Sequence, residues 1–518
     1  MNRLVESVRA RLQSAGSDML SRLKVEPRLD QIGRVERIGD DVASVRGLPE
    51  AQLGELLLFE RSRGGDPVAG IVLSLDPDLI GCAMLGKASG VGAGNLVRGT
   101  GAVARVPVGE ELLGRSVNAL GLPLDGGPQI DAVKFEPVER PAPAIVDRDF
   151  VNTALNTGLL VIDAMLPLGR GQRELIIGDR ETGKTAVAVD TILNQRDTGV
   201  VCVYCAVGQK TSSNSQVIDA VQRYGAPQRC IFVLAPADDP PGVQWLAPYA
   251  ACTIAEYFSE RGGDALLIID DLTKHAVIYR QLSLLLRNPP AREAYPGDIF
   301  YIHSRLLERA AKLSHERGGG SLTALPIAAT EEGNLSAYIP TNLISITDGQ
   351  IVLDARFFHE GQKPAVNVGR SVSRVGGKTQ SPAMRQLAES LRLEYSQFLE
   401  LEIFTRFGGM VDDRTRKIIE HGRRIRAVLT QPQYDPLSLA HQVALLVAID
   451  EKLIDRLPLD KVSQLRTAIG AWLNSQGSEY SRRINATGDL DTDGRAALAA
   501  AVTAVVARLT VPPTASSQ

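Results

Sequence analysis

The sequence GDRETGKT, residues 178–185, decides the fold of the central part of this 518-residue chain. A strand-like run at 174–177 leads into it, and a helix-like run at 186–194 follows it. Strand, glycine-containing loop and helix, in this order, are the context in which such a loop binds phosphate. The pattern therefore predicts an α/β domain built around a nucleotide-binding P-loop.

Each residue type in this loop has a task in binding phosphate. Gly178 and Gly183 allow successive backbone N–H groups to turn toward phosphate oxygens. Lys184 supplies a positive charge to the β- and γ-phosphates, and the hydroxyl of Thr185 can ligate Mg²⁺. We predict nucleotide contact for the whole loop, which consists of Gly178, Asp179, Arg180, Glu181, Thr182, Gly183, Lys184 and Thr185.

A second part of the site is predicted at Asp270, which follows an apolar run at 265–269. A buried parallel strand appears in sequence as a continuous apolar run, and its carboxyl end faces the ligand crevice. We expect Asp270 to hold Mg²⁺ through a water molecule. The alternative is an aspartate that only caps a helix or occupies a turn.

Gln209 follows another apolar strand, at 200–207, which leads to the same crevice. Hydrolysis needs a group that polarises the attacking water, and a carboxylate can accept its proton whereas a neutral amide cannot. Glutamine can still orient water, so it lowers the expected turnover without abolishing it. The sequence therefore predicts a site that holds nucleotide with little or no hydrolysis, and a function carried out with another subunit.

The composition is that of a soluble globular protein, with 23% charged and 44% hydrophobic residues. A net charge of −3 provides no basic footprint for nucleic acid. No run approaches the roughly 18 to 20 apolar residues of a membrane span, and the first residues lack a signal core. We therefore expect a cytoplasmic chain that meets a membrane only through partners. Cys202 and Cys205 have a CxxC spacing, but their directions on a strand favour core positions over a metal site.

Residue periodicity divides the chain into five segments. Apolar residues at helical spacing predict an amphipathic N-terminal helix in residues 1–26. Short strand-like runs predict a small β-barrel in residues 27–96. Strands alternate with helices in residues 97–380, which predicts a doubly wound nucleotide-binding domain. Residues 381–510 predict a helical domain, and residues 511–518 predict a disordered tail.

The order of barrel, nucleotide-binding domain and helical domain resembles the α subunits of rotary F-type ATP synthases. The resemblance rests on long strings, namely GRGQRELIIGDRETGKTA (169–186), RQLSLLLRNPPAREAYPGDIFYIHSRLLERAAK (280–312), SLTALP (321–326), SITDGQI (345–351) and PAVNVGRSVS (364–373). It runs over nearly the whole chain, from residue 4 to residue 509. It implies a RecA-like fold for the central domain, and ATP or ADP with Mg²⁺ as its ligand.

The resemblance also implies roles for residues outside the P-loop. Arg374 would reach into the catalytic site of a neighbouring β subunit, where a guanidinium stabilises charge on the transferring phosphoryl group. The alternative for Arg374 is a surface or interface salt bridge. Gln431 and Gln433 would contact adenine, because an amide offers both a donor and an acceptor to the base.

The implied partners are β subunits in an alternating α3β3 ring, a γ-type central shaft, and stator subunits at the N-terminal helix. The implied location is the cytoplasmic face of the bacterial plasma (inner) membrane, where the chain would be peripheral. The coupling ion, proton or sodium, stays open because carboxylates on a different polypeptide select it. The dominant direction, synthesis or hydrolysis, stays open as well.

Several positions depart from the family's usual pattern, among them residues 408–410 and a shortened segment before Gly318. Glu181 stands where Gln is common, Lys363 where Arg is usual, and Arg370 where an aliphatic side chain is usual. Glu181 places a negative charge near the phosphates, and Lys363 lacks the planar fork of Arg. These departures favour a divergent α subunit of the alternate, sodium-translocating class.

Other functions share parts of this architecture. A free-standing hexameric export ATPase requires a catalytic glutamate, and Gln209 argues against it. A nucleic-acid ring ATPase of the Rho type requires basic and aromatic groups in the barrel, where Phe59 is the only aromatic residue. A scaffold without nucleotide would leave Lys184 and Thr185 unexplained.

Overall fold

The computed structural model describes residues 31–132, 134–406 and 412–510. The helix predicted at 1–26 and the tail predicted at 511–518 lie outside the described residues. Within them the chain forms a closed β-barrel, an eight-stranded sheet with helices, and a group of helices, in that order. The predicted multidomain fold is confirmed.

Six antiparallel strands close the N-terminal barrel, in the order β1-β2-β5-β4-β3-β6. They are β1 Ile32–Gly39, β2 Val42–Arg46, β3 Glu55–Phe59, β4 Val68–Leu75, β5 Ile80–Met84 and β6 Leu96–Val103. Alternate side chains point inward, as Leu57 and Phe59 do in β3, where both are fully buried. The boundary predicted at residue 96 is too early. It removes β6, which closes the barrel by pairing with both β1 and β3.

The central sheet has the strand order β16-β15-β10-β14-β13-β11-β12-β8. Its strands are β8 Ser116–Val117, β10 Leu175–Asp179, β11 Val201–Val207, β12 Cys230–Ala235, β13 Asp264–Asp270, β14 Ser321–Thr330, β15 Gly349–Leu353 and β16 Val372–Ser373. All neighbours are parallel except β15 and β16. A separate antiparallel pair, β7 Arg105–Val108 and β9 Lys134–Pro137, flanks β8 in the sequence.

Helices cover both faces of the sheet, which is why its central strands contain continuous apolar runs. They are α1 Leu160–Met165, α2 Lys184–Asn194, α3 Thr211–Tyr224, α4 Pro241–Ser259, α5 Leu272–Leu285, α6 Ile299–Leu307, α7 Tyr338–Ile346 and α8 Ala355–His359. All seven residues of β11 are buried. Cys202 and Cys205 are among them, so their predicted core positions are confirmed.

Six helices form the C-terminal region. They are α9 Pro382–Arg406, α10 Asp413–Leu429, α11 Leu439–Asp450, α12 Val462–Leu473, α13 Ser478–Thr487 and α14 Thr492–Thr510. Helix α11 is buried over most of its surface and lies in their centre. One continuous hydrophobic core joins α11 to α2 and β10, so the helical region is packed firmly against the nucleotide-binding domain. Across the described ranges, no helix combines the length and hydropathy of a membrane span.

The parallel strands position the candidate site. Strands β10, β14, β13 and β11 are adjacent, and they all end at the same edge of the sheet. The P-loop follows β10, Asp270 is the last residue of β13, and Gln209 follows β11 by two residues. The segments predicted to form the site therefore meet at one edge, as the parallel topology requires.

Candidate functional site

The P-loop makes a tight turn between β10 and α2. Glu181 and Gly183 have φ angles of 62° and 93°, in the left-handed region that reverses the backbone direction. Lys184 Nζ donates hydrogen bonds to the carbonyl oxygens of Gly178, at 2.9 Å, and Asp179. Burial lowers the pKa of Lys184, and nearby carboxylates oppose that shift. The ammonium group of Lys184 therefore lies over the P-loop, where it is predicted to bind phosphate.

Asp270 is the centre of a polar network beside the loop, and only 3% of the residue is exposed. Its Oδ2 accepts hydrogen bonds from Thr185 Oγ1 at 2.7 Å and from Tyr204 Oη at 2.9 Å. Its Oδ1 accepts one from Gln209 Nε2 at 2.7 Å. The cap of α5 is the next residue, Asp271, whose carboxylate accepts from a backbone N–H of that helix. Capping is therefore not the task of Asp270.

The oxygens of this network fit Mg²⁺. Mg²⁺ prefers oxygen ligands, retains several waters, and is commonly held by one or two protein groups together with substrate phosphates. The hydroxyl of Thr185 and the carboxylate of Asp270 are 2.7 Å apart at the edge of the P-loop. They can supply one direct and one water-mediated ligand, so the metal role of both residues stays a prediction with suitable geometry.

The amide of Gln209 is held at both ends. Its Nε2 donates to Asp270, and its Oε1 accepts from Lys274 Nζ at 2.6 Å. Lys274 Nζ also donates to the carbonyl oxygen of Gly208 at 2.9 Å. These partners assign the amide orientation, because a carboxylate requires the NH₂ group and an ammonium requires the oxygen. Gln209 therefore faces the crevice in one fixed orientation.

A cavity of about 350 Å³ lies beside the P-loop. This volume is in the range of small-molecule sites. Its wall combines the loop and the first part of α2 with a segment around the cis peptide before Pro364. Lys363 Nζ stacks 4.7 Å from the ring centroid of Phe358 in this wall. The lining residues are Glu181, Thr182, Gly183, Lys184, Thr185, Ala186, Val187, Asp190, Phe358, Lys363, Pro364, Ala365, Gln431 and Gln433.

The two glutamines predicted to contact adenine both line this cavity, but they differ in availability. Gln431 is buried, with its Oε1 accepting from Leu160 N at 2.6 Å and its Nε2 donating to Gly158 O at 3.0 Å. Gln433 is exposed, and no described residue forms a hydrogen bond with its amide. Gln431 thus fixes the backbone of the cavity wall, whereas Gln433 is free to contact a ligand.

A second cavity, of about 330 Å³, continues from the first and shares Thr185, Ala186 and Gln433 with it. Gln209 and Asp270 line this second cavity. The structure therefore brings the hydroxyl, carboxylate and amide of the polar network together with the loop and with Gln433. These are the residues that the sequence assigned to one ligand.

Three predicted loop residues do not line the cavity. Gly178 and Asp179 line a separate space of about 170 Å³, and the side chain of Arg180 is exposed. Asp179 Oδ1 accepts hydrogen bonds from Thr330 Oγ1 at 2.6 Å and from Gly333 N at 2.8 Å. The side chain of Asp179 thus ties the loop to the neighbouring strand. A ligand contact for these three residues stays a prediction that concerns their backbone.

Arg374 lies on a different face, in a pocket of about 430 Å³ that it shares with four other cations. Those cations are Arg148, Arg173, Lys312 and Lys378. Arg173 is paired, with Asp348 at 2.8 Å and Glu308 at 2.6 Å. The Arg374 guanidinium donates one long hydrogen bond, 3.4 Å, to the carbonyl oxygen of Thr347, and it forms no ion pair with a described residue. The alternative for Arg374 is a surface or interface salt bridge; no such bridge forms with a described residue of this chain, and a bridge to another subunit stays a prediction.

Sequence reasoning missed three polar residues of the site, namely Tyr204, Lys274 and Asp190. Tyr204 carries a polar tip within an otherwise apolar strand, and Lys274 follows the predicted metal aspartate by one helical turn. Asp190 shares a helix face with Gly183 and Val187, at spacings that repeat along α2. From this spacing, the sequence could have indicated Asp190 as a candidate site residue.

Two segments of the chain match a known family. Residues 158–373 match the nucleotide-binding domain of the ATP synthase alpha/beta family. Residues 380–505 match the C-terminal domain of the ATP synthase alpha/beta chain. The first segment contains the P-loop, Gln209 and Asp270, and the second contains Gln431 and Gln433.

Curated relatives extend this similarity along the chain. ATP synthase subunit alpha 3 of Paraburkholderia xenovorans (strain LB400) is 54% identical over 497 residues, which cover 95% of this chain and 93% of the relative. ATP synthase subunit alpha 1 of the same strain is 53% identical over 498 residues, 96% of each chain. ATP synthase subunit alpha 2 of Burkholderia pseudomallei (strain 1710b) is 57% identical over 457 residues, 88% of this chain and 68% of the relative.

Proposed function

Because the chain belongs to the ATP synthase alpha/beta family, as an α subunit of F-type ATP synthases, we propose that it binds ATP or ADP with Mg²⁺ without hydrolysing it. As an α subunit it is part of an ATPase complex with β and other subunits. We further propose that it contributes Arg374 to a catalytic site on a neighbouring β subunit. The export ATPase and the nucleic-acid ring ATPase are not favoured, since the relatives are α subunits over nearly the whole chain.

The single observation that carries the proposal is the position of the Gln209 amide. It lies between the carboxylate of Asp270 and the ammonium of Lys274, where a hydrolysing site needs a proton acceptor. An amide at this point can orient a water molecule but cannot take its proton. The nucleotide is therefore held while the attacking water lacks a base.

Binding itself follows from the loop and from the polar network beside it. Backbone N–H groups at the start of α2 and the charge of Lys184 suit the phosphates. Bound Mg²⁺ would neutralise phosphate charge. Thr185 and Asp270, joined at 2.7 Å, are the residues that would hold it. The cavity that continues toward Phe358, Pro364 and Gln433 would receive the base.

Arg374 has the properties of a group that acts outside its own chain. Its guanidinium is exposed and forms no ion pair with a described residue. Phe150 lines the same pocket with 86% of its surface exposed, an uncommon state for a large aromatic side chain. An unpaired planar cation beside exposed apolar surface suits a subunit interface with a phosphoryl-transfer site.

The remaining assignments rest on family membership. We infer that the chain alternates with β subunits in an α3β3 ring around a γ-type shaft, and that its first residues meet the stator. We infer that it reaches the cytoplasmic face of the bacterial plasma membrane only as part of the complex. Nothing in these assignments requires nucleic acid.

The decisive experiment uses the purified full-length chain. We expect equilibrium dialysis to detect bound Mg-ATP, and we expect ADP production to stay at the level of a blank. Lys184→Ala should abolish binding, because it removes the charge over the loop. Robust hydrolysis by the isolated, monodisperse chain that disappears in Lys184→Ala would overturn the non-catalytic assignment.

A further inference from the structure

Asp190 is a buried acid with no role in the site described so far. It lies on α2 and lines the cavity on the side of the two glutamines, yet only 5% of the residue is exposed. Burying a carboxylate costs free energy unless it is hydrogen-bonded, so the hydrogen-bond partners of each of its oxygens matter. The two oxygens have different surroundings.

Asp190 Oδ1 accepts a hydrogen bond from the backbone N–H of Tyr434 at 2.8 Å. Oδ2 receives no hydrogen bond from any described residue, and it is not among the side-chain atoms sealed from solvent. One oxygen therefore fixes the backbone beside Gln433, and the other stays available at the cavity wall. A ligand that carries a donor can satisfy this second oxygen.

The alternative acceptor in this part of the cavity is already occupied. Gln431 Oε1 accepts from Leu160 N at 2.6 Å, and its Nε2 donates to the carbonyl oxygens of Gly158 and Asp435. Releasing this buried amide for a base would leave backbone groups unpaired, which is unfavourable. Gln433 and Asp190 are therefore the two polar side chains of this wall that remain free for a base.

We propose that Asp190 is a specificity-determining residue whose Oδ2 accepts a hydrogen bond from the exocyclic 6-amino group of adenine. This inference rests on the proposed function, because it takes the cavity to be the base end of a nucleotide site. Burial raises the pKa of Asp190 to about 6, with Asp435 contributing in the same direction, so the carboxylate is ionised at pH 8. Hydrogen bonds to charged acceptors are the stronger class and support discrimination between bases.

The test compares two ligands on the full-length chain. Purine riboside triphosphate has a hydrogen atom in place of the 6-amino group and is otherwise identical to ATP. We expect the wild-type chain at pH 8 to bind Mg-ATP about 10-fold more tightly than this analogue, which corresponds to one charge-assisted hydrogen bond. Equal affinity for the two ligands would overturn the inference without any variant, while leaving nucleotide binding itself established.

Two variants separate base recognition from a structural task. Asp190→Asn can keep the acceptor for Tyr434 N–H but presents an NH₂ group to the cavity, so the preference for ATP should fall to about 1-fold. Asp435→Asn removes a neighbouring negative charge from an exposed residue that does not line the cavity, so the preference should persist.

Each remaining outcome has a definite meaning. If Asp190→Asn weakens both ligands equally, Asp190 only fixes the Tyr434 backbone and the inference is wrong. If the wild-type chain binds neither ligand, the proposed nucleotide function and this inference fall together. Thermal unfolding of each variant, monitored by circular dichroism, verifies that affinity is compared between folded proteins.

Discussion

The phosphate side of the nucleotide site and the pocket around Arg374 use their charges in opposite ways. Beside the P-loop, Asp270 is contacted by three donors, and Gln209 is held between Asp270 and Lys274. Around Arg374, the neighbouring Arg173 forms ion pairs with Asp348 and Glu308, but Arg374 itself forms no ion pair with a described residue. The first region is complete within one chain. The second presents an exposed cation whose guanidinium makes one long hydrogen bond, to the carbonyl oxygen of Thr347, within the described residues.

This difference is what the proposed function requires of one polypeptide that holds nucleotide and supports turnover on a neighbouring subunit. A neutral amide with both ends hydrogen-bonded has a fixed position in the site, but it cannot accept a proton from water because it is too weak a base. A guanidinium without a fixed partner can respond to charge that develops on a transferring phosphoryl group. The proposed function thus assigns nucleotide binding and the support of catalysis to separate faces of the chain.

The largest expected effect concerns the unpaired cation. In a reconstituted ring with β subunits, Arg374→Ala should lower multisite ATP turnover by about 1,000-fold and leave assembly intact, because the guanidinium acts on the transition state. Lys378→Ala is the matched control, since it removes another charge from the same pocket. Steady-state ATPase assays and size-exclusion chromatography measure both. Unchanged turnover in Arg374→Ala would remove this residue from the mechanism.

A smaller effect is expected in the paired network. Asp270→Asn keeps the shape of the side chain but removes its charge, so the gain in ATP affinity on adding Mg²⁺ should shrink by about 10-fold. The ratio of the Kd in EDTA to the Kd in Mg²⁺ measures this gain. Asp179→Asn serves as the control, because that carboxylate lies at the same sheet edge but faces Thr330 and Gly333. An equal loss in both variants would contradict a metal role for Asp270.

A several-fold effect of pH is expected at the base end. Above pH 7 Asp190 is ionised and accepts from the 6-amino group, and below its raised pKa of about 6 it is protonated and no longer prefers that donor. The ratio of affinities for ATP and purine riboside triphosphate should therefore fall between pH 8 and pH 5. Phosphate titration affects both ligands alike and cancels in this ratio.

Other groups near Asp190 bear on this pH profile. Asp435 raises the pKa of Asp190, and the Tyr434 N–H lowers it. Glu181, Lys184 and Lys363 line the same cavity. If the ratio of affinities for ATP and purine riboside triphosphate stays constant between pH 8 and pH 5, the preference for adenine does not depend on the ionisation of Asp190, and this prediction is wrong.

The smallest effect is expected from adding a carboxylate. Gln209→Glu places it at the position of an amide that lies 2.7 Å from Asp270, and two carboxylates at that distance cannot both ionise. We therefore expect no measurable gain in ATP hydrolysis by the isolated chain. Gln209→Ala provides the baseline. If Gln209→Glu hydrolyses ATP well above the Gln209→Ala baseline, the amide of Gln209 alone prevents hydrolysis in the wild-type chain, and the expected absence of a gain is wrong.

The sequence predicted those parts of the site that depend on local pattern and on parallel topology. The P-loop, Gln209 and Asp270 each follow an apolar strand, and parallel strands end at one edge, so their convergence follows from the pattern. Contacts between distant segments left no such pattern. Gln431 is paired with Leu160, 271 positions away, and no periodicity predicts that its amide is already occupied.

Side-chain direction was the other limit. Asp179 belongs to the loop by sequence, but its carboxylate turns to Thr330 on the adjacent strand, which only the register of β10 and β14 determines. The end of the barrel was misplaced for a similar reason. Closure depends on the pairing of β6 with β1, more than fifty residues earlier, and not on the local strand pattern.

The hydrogen bond between Asp190 and the Tyr434 backbone crosses from the P-loop helix to the C-terminal helical region. The wall at 431–434 thus belongs to the helical region, whereas the P-loop, Asp270 and Gln209 belong to the nucleotide-binding domain. In the proposed site, the segment that chooses the nucleoside is therefore the one that lies farthest along the polypeptide from the phosphate loop.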